Sequence, residues 1–119
     1  FWPLSRITRE DGRTLEDQRT DPASLWHWYR RLIALRRASP ALCRGDLSLL
    51  EAGRPEVLAF RRRAGDDVVT VVANLGQRPA RLRRDSPAAA GGVILLAAGG
   101  GRDPRELPPR SVRVLADPA

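Results

Sequence analysis

Leu25, Trp28, Tyr29, Leu32, Ile33 and Leu35 recur at three- and four-residue spacing, while Arg30, Arg31 and Arg37 fall largely elsewhere. This period lays one wide apolar stripe along an α-helix. Asp21 is a good N-cap, Pro22 suits the first helical position, and Arg36 and Arg37 complement the dipole at the far end before Pro40 stops it. The expected helix is 22–38. Beyond Pro40 the period changes to alternation, first at Leu47 and Leu49, then along Val57-Leu58-Ala59-Phe60-Arg61-Arg62. A turn at Ala64-Gly65-Asp66-Asp67 leads into Val68 to Leu75, the strongest β run in the chain, so these two segments form a hairpin. The second of them is apolar on both sides and is expected in the middle of its sheet. Ala80 to Arg83, Val93 to Leu96 and Ser111 to Leu115 are further short strands; Gly99-Gly100-Gly101 and Pro104 to Pro109 are connections. Such spacing predicts a mainly β fold, an antiparallel β-sandwich with one N-terminal α-helix. Arg61-Arg62-Arg63 is expected as a solvated strand end.

Residues 1–20 are polar and aperiodic, with Phe1, Trp2, Leu4 and Ile7 as the sizeable apolar side chains before Leu15. A segment of this kind does not fold alone. The chain contains no Met and begins at Phe1, which is read as a piece of a longer polypeptide. The apolar face of the helix and the Phe1-Trp2 pair are then expected to be exposed and prone to aggregation.

Composition narrows the function classes. The 119 residues suit one modest core, and 42% apolar with 29% charged residues is ordinary globular make-up. Cys43 has no partner for a disulfide, and the longest apolar run, Gly91 to Ala98, is strand-sized, so no membrane partner is indicated. The net charge of +7 raises nucleic acid as a partner. All 21 basic residues are Arg, however, spread along the whole chain, with no aromatics interleaved at 61–63 or 83–84 to stack bases. A solvated Arg-rich surface is preferred, and no nucleic-acid partner is assigned.

Active-site patterns are not found. His27 has no His or Cys three or four residues away to share a metal, no Gly-x-Ser-x-Gly elbow is present, and Gly99-Gly100-Gly101 lacks both a Lys and a following helix. Cys43 beside Arg44 lacks the second half of a catalytic pair. Asp46, Glu51, Glu56, Asp66 and Asp67 fall in turns or strand edges beside Arg, and no two stand out as a buried acid–base pair. No catalytic residue, metal ligand or cofactor is assigned, and substrate-binding residues stay open.

The order Asp21-Pro22-Ala23-Ser24-Leu25, Tyr29 to Arg37, Ser39-Pro40-Ala41-Leu42 and Gly45-Asp46-Leu47 resembles the last barrel helix and domain junction of the α-amylase superfamily, the family 13 glycoside hydrolases. The similarity is sharpest to the α-glucosidase, oligo-1,6-glucosidase and trehalose synthase branch. It continues through Val57 to Arg62, Val69 to Leu75 and Leu107-Pro108-Pro109. Thr14-Leu15-Glu16-Asp17-Gln18 departs from the branch's usual Asn-Val pattern. The resemblance implies that 1–42 is the remnant of a (β/α)8 barrel, made of the connection after strand eight and the eighth helix, and that 43–119 is the C-terminal β-sandwich. It implies a retaining parent enzyme acting on α-glucosidic bonds of malto- or isomalto-oligosaccharides, with its carboxylates on barrel strands preceding Phe1. The partners are then the barrel and, through it, the oligosaccharide; the location is cytoplasmic. The fragment's role is to cover and stabilise the barrel. The same region of a trehalose synthase, or an independent carbohydrate-binding module using Trp2, Trp26 and Trp28, are the alternatives, with a basic nucleic-acid-binding domain behind them.

Overall fold

The computed structural model describes residues 14–89 and 92–117. The expectations placed on Phe1, Trp2, Leu4 and Ile7 lie outside these residues. The chain forms two compact units, Phe1–Arg36 and Arg37–Ala119.

The first unit is helical. Helix α1, Leu15–Thr20, occupies part of the stretch expected to be aperiodic. Its cause is local: Asp17 N–H donates to Thr14 Oγ1 at 3.2 Å and Thr14 N–H donates to the Asp17 carboxylate at 3.2 Å, a reciprocal cap. Helix α2 runs Leu25–Ala38 and so starts three residues later than the expected 22–38. Asp21 does not cap it. The Asp21 carboxylate accepts from Ala23 N–H at 2.9 Å and its carbonyl from Ser24 N–H at 3.0 Å, which closes a turn over 21–24. The Ser24 carbonyl then accepts the Trp28 N–H at 3.1 Å. Gln18 laces the two helices together, since its carbonyl accepts from Ser24 Oγ at 2.6 Å and its side chain from Trp26 N–H at 3.1 Å. No residue of α1 or α2 is buried.

The second unit opens with a helix the periodicity did not predict. Pro40 ends α2 and also starts α3, Pro40–Arg44, because a proline without an N–H fits a first helical turn. Ser39 caps α3, its Oγ accepting from Leu42 N–H at 3.3 Å. The Asp67 carboxylate accepts from Ser39 Oγ at 2.6 Å and from Ala41 N–H at 2.7 Å, tying the helix to the sheet. Gly45 follows where a Cβ would lie 2.4 Å from the Ala41 carbonyl oxygen and 2.8 Å from that of Arg63, so only glycine fits.

Seven strands follow: β1 Asp46–Leu49, β2 Val57–Ala64, β3 Asp67–Asn74, β4 Ala80–Arg81, β5 Val93–Ala98, β6 Glu106–Leu107 and β7 Ser111–Ala116. Five form one antiparallel sheet in the order β1-β2-β3-β7-β5, which puts the expected central strand at its centre. Strands β4 and β6 form a small second layer. Strand β6 lies in the segment expected to be a plain connection. The β2–β3 hairpin closes through Gly65-Asp66, with Gly65 at φ +61. Between the layers, Val57, Ala59, Val72 and Leu115 of the large sheet pack with Leu82, Ala88 and Leu107. Buried Asn74 locks this contact: its Nδ2 donates to the carbonyls of Arg78, Leu107 and Pro108 at 2.8, 3.0 and 3.2 Å. The molecule is therefore mainly antiparallel β, with a few short helices rather than one.

Candidate functional site

Successive strand residues point to opposite faces, and the register identifies what each face carries. On the inner face lie Val57, Ala59, Val72 and Leu115. On the outer face, Leu49 pairs with Phe60, Phe60 with Val71, Val71 with Val114 and Val114 with Leu96. These five side chains form an unbroken apolar row across all five strands. Leu58, Ala73, Val112 and Ala98 make a parallel row on one side of it. On the other side run Leu47, Arg62, Val69, Ala116 and Val93. The margins are open to solvent: Leu49 is 73% exposed, Val93 64%, Leu47 59% and Leu58 43%. The centre of the face is already shielded, with Val69 at 1%, Val114 at 7% and Ala73 at 8% exposure, so the apolar surface that faces solvent is confined to these margins.

The strand arginines are engaged by specific bonds, Arg62 on this face and Arg61 and Arg113 on the opposite one. Arg62 turns toward α3, donating from its two terminal nitrogens to the carbonyls of Leu42 and Gly45 at 2.8 Å each, so its charge caps the helix C-terminus. Arg61 pairs through Nε with Asp117 at 2.9 Å, and Thr70 Oγ1 donates to the same carboxylate at 2.8 Å. Arg61 and Arg62 are thus structural groups, not the solvated strand end expected of 61–63. Arg113, fully buried, donates to the carbonyls of Ala98 and Val112 at 3.1 and 3.0 Å and also to that of Gly100. Burial lowers the pKa of its guanidinium from the ordinary value. Gly101 is what admits this side chain, since a Cβ there would lie 2.8 Å from Arg113 Nη2.

The residues weighed for chemistry are dispersed. His27 Nδ1 lies 3.1 Å from Ser24 Oγ, and its ring stands edge-on to Trp26 at 4.7 Å. Cys43 is exposed on α3. Asp67 is engaged by Ser39 and Ala41, and Glu51 accepts from Gly53 N–H at 3.2 Å. No three His, Cys, Asp or Glu side chains converge on a metal position among the described residues. Trp26 is flanked by the guanidinium groups of Arg19 and Arg30, 5.7 and 4.8 Å from its ring centroid. The outer-face rows could not be read from sequence: their members come from five segments, and only the register aligns them.

Comparison with known proteins adds a family model described as a domain of unknown function, DUF3459, which matches residues 44–114. A probable alpha-glucosidase of Rhizobium meliloti (strain 1021) is 38% identical over 68 residues, covering 57% of this chain and 12% of that protein. A trehalose synthase of Pimelobacter sp. (strain R48) is 37% identical over 75 residues, covering 60% of this chain and 13% of that protein. In three dimensions the trehalulose synthase MutB from Pseudomonas mesoacidophila MX-45 superposes with a TM-score of 0.74 at 22% identity, over 89% of this chain and 20% of that one. The chain therefore matches a small part of each relative's length, and the structural likeness is one of fold.

Proposed function

Because the chain belongs to the DUF3459 family, the C-terminal domain of α-amylase-family enzymes, we propose that it serves as the non-catalytic C-terminal part of an α-glucosidase-like glycoside hydrolase. Its β unit packs on the catalytic (β/α)8 barrel of the parent protein and stabilises it, with residues 1–42 contributing the last barrel helix. The carrying observation is the apolar margin of the outer sheet face, where Leu49, Val93, Leu47 and Leu58 stay open to solvent around a shielded centre. Burying this exposed margin against a second apolar surface returns about 25 cal/mol per Å² of area covered. Helix α2 has the same need, since Leu25, Tyr29 and Ile33 are 62%, 58% and 49% exposed.

The substrates are α-glucosidic bonds of malto- or isomalto-oligosaccharides, reached only through the parent's barrel, where a nucleophilic carboxylate and an acid–base carboxylate perform retaining hydrolysis. Support comes from the α-glucosidase relative, and the trehalose synthase relative at 37% identity keeps maltose–trehalose isomerisation as the second reading. A stand-alone sugar-binding module is disfavoured by Trp26, whose ring is already engaged by two guanidinium groups and so is no free stacking platform. We place the parent in the cytoplasm, where the exposed thiol of Cys43 stays reduced. No helix among the described residues is long and apolar enough to cross a membrane.

The test is an assay of the purified chain beside its parent on maltose, isomaltose and a nitrophenyl α-glucoside. The parent is expected to turn over and the chain to show none. Hydrolysis by the chain itself would overturn the non-catalytic role.

A further inference from the structure

Five of the arginines meet at one place in the second unit. Arg54, Arg81, Arg83, Arg84 and Arg105, with Leu82 among them, line a cavity of about 270 Å³ beside the small sheet. They come from three separate segments, so proximity in sequence does not account for their convergence. The fold brings them together through named contacts. Strand β4 carries Arg81 and leads to Arg83 and Arg84; Leu82 N–H donates to the Arg105 carbonyl at 2.9 Å; the Arg54 carbonyl accepts from Val57 N–H at 3.2 Å where β2 begins. Leu82 is buried and fixes the floor.

Their countercharges are incomplete. Arg81 pairs with Glu106 at 3.1 Å, and Arg83 with Asp85 through two bonds of 3.2 and 3.3 Å. Asp103 is turned to the backbone, accepting from Arg105 N–H at 2.8 Å. Arg54, Arg84 and Arg105 have no ion pair and no side-chain hydrogen bond among the described residues. Three guanidinium groups without a carboxylate partner lining one depression raise the local positive potential, which favours an anion there. Guanidinium forks match the oxygens of a phosphoryl group better than any other side chain does.

We propose that this cavity binds a small, multiply charged phosphoryl ligand of sugar-phosphate or pyrophosphate size, at a site separate from the outer sheet face. No aromatic residue lines it, so there is no surface on which a nucleobase would stack, and a phosphorylated sugar or pyrophosphate suits it better than a nucleotide or a nucleic acid. Arg54, Arg84 and Arg105 supply the charge, while Arg81 and Arg83 are partly neutralised by Glu106 and Asp85.

Isothermal titration of the 119-residue chain with inorganic pyrophosphate, a hexose bisphosphate and the unphosphorylated hexose tests the proposal. Both phosphorylated probes are expected to bind and the bare hexose not to. Pyrophosphate binding as tightly as the bisphosphate would mark the phosphoryl groups as the part recognised; tighter bisphosphate binding would mark a sugar phosphate. Each of Arg54→Gln, Arg84→Gln and Arg105→Gln should weaken binding about tenfold, the loss expected for one charged hydrogen bond. Arg102→Gln, outside the cavity, should leave it unchanged, and raising salt should weaken binding by screening. These arginines except Arg105 are exposed, so circular dichroism should confirm that the variants remain folded. No heat with either phosphorylated probe, undiminished binding by a variant carrying Arg54→Gln, Arg84→Gln and Arg105→Gln together, or a short DNA duplex binding more tightly than pyrophosphate would each overturn the proposal.

Discussion

The helical unit and the β unit are built from similar residues and solve opposite problems. In α1 and α2 no side chain is buried, although α2 carries Leu25, Trp28, Tyr29, Leu32, Ile33 and Leu35 on one stripe. In the β unit, Val72, Leu115 and Ala88 are completely excluded from solvent. The difference lies in what each unit can supply to itself. Among the described residues, two helices offer one apolar stripe and no second layer, whereas the five-stranded sheet covers its inner face with β4, β6 and the turn at Pro87–Ala89. The β unit has a core of its own; the helical unit has capping hydrogen bonds and an apolar face that requires another surface. The margins of the sheet's outer face, at Leu47, Leu49 and Val93, are likewise open to solvent, while Val69 and Val114 between them are buried.

If that contrast is right, substitutions in the two units should differ sharply in cost. Leu115→Ala, in the fully buried core, should lose about 3 kcal/mol of unfolding free energy by urea titration of the chain. A loss below about 1 kcal/mol would mean the inner face is not the main core. Asn74→Ala should cost about 2 kcal/mol, because three carbonyls lose their common donor across the two layers. Asp67→Asn should cost about 1 kcal/mol by weakening the bonds to Ser39 and Ala41, visible as faster amide exchange in α3 than in β3. Ile33→Ser on α2 should change stability by no more than about 0.5 kcal/mol, and should reduce self-association measured by sedimentation. A large loss there would show that the helix has a covered face within this chain.

Legibility in the sequence follows the range of the cause. The β2–β3 hairpin and the central position of β3 were readable because the alternation of β2, the apolar run of β3 on both its faces and a Gly-Asp turn act within a few residues. The end of α2 at Ala38 was readable for the same reason. The true start of α2 was hidden by two adjacent candidates: Asp21 is taken up by its own turn, which passes the boundary to Ser24. Helix α3 was missed because Pro40 both stops one helix and begins the next. Strand β6 was missed because its two residues sit among prolines and gain a strand partner only from β4. The roles of Arg61 and Arg62 depend on Asp117, Leu42 and Gly45, far along the chain. The outer apolar row likewise exists only once five strands are in register.

The central claim is that the outer sheet face is completed by the parent's barrel. Leu49→Asp tests it most directly, since Leu49 begins the apolar row and is 73% exposed in this chain. Thermal unfolding should be measured for this variant twice, in the 119-residue chain and in the full parent protein. The account predicts little change in the chain, within about 0.5 kcal/mol, and a loss of about 2 kcal/mol or more in the parent, where the new carboxylate would be buried without a partner. An unchanged parent would contradict it.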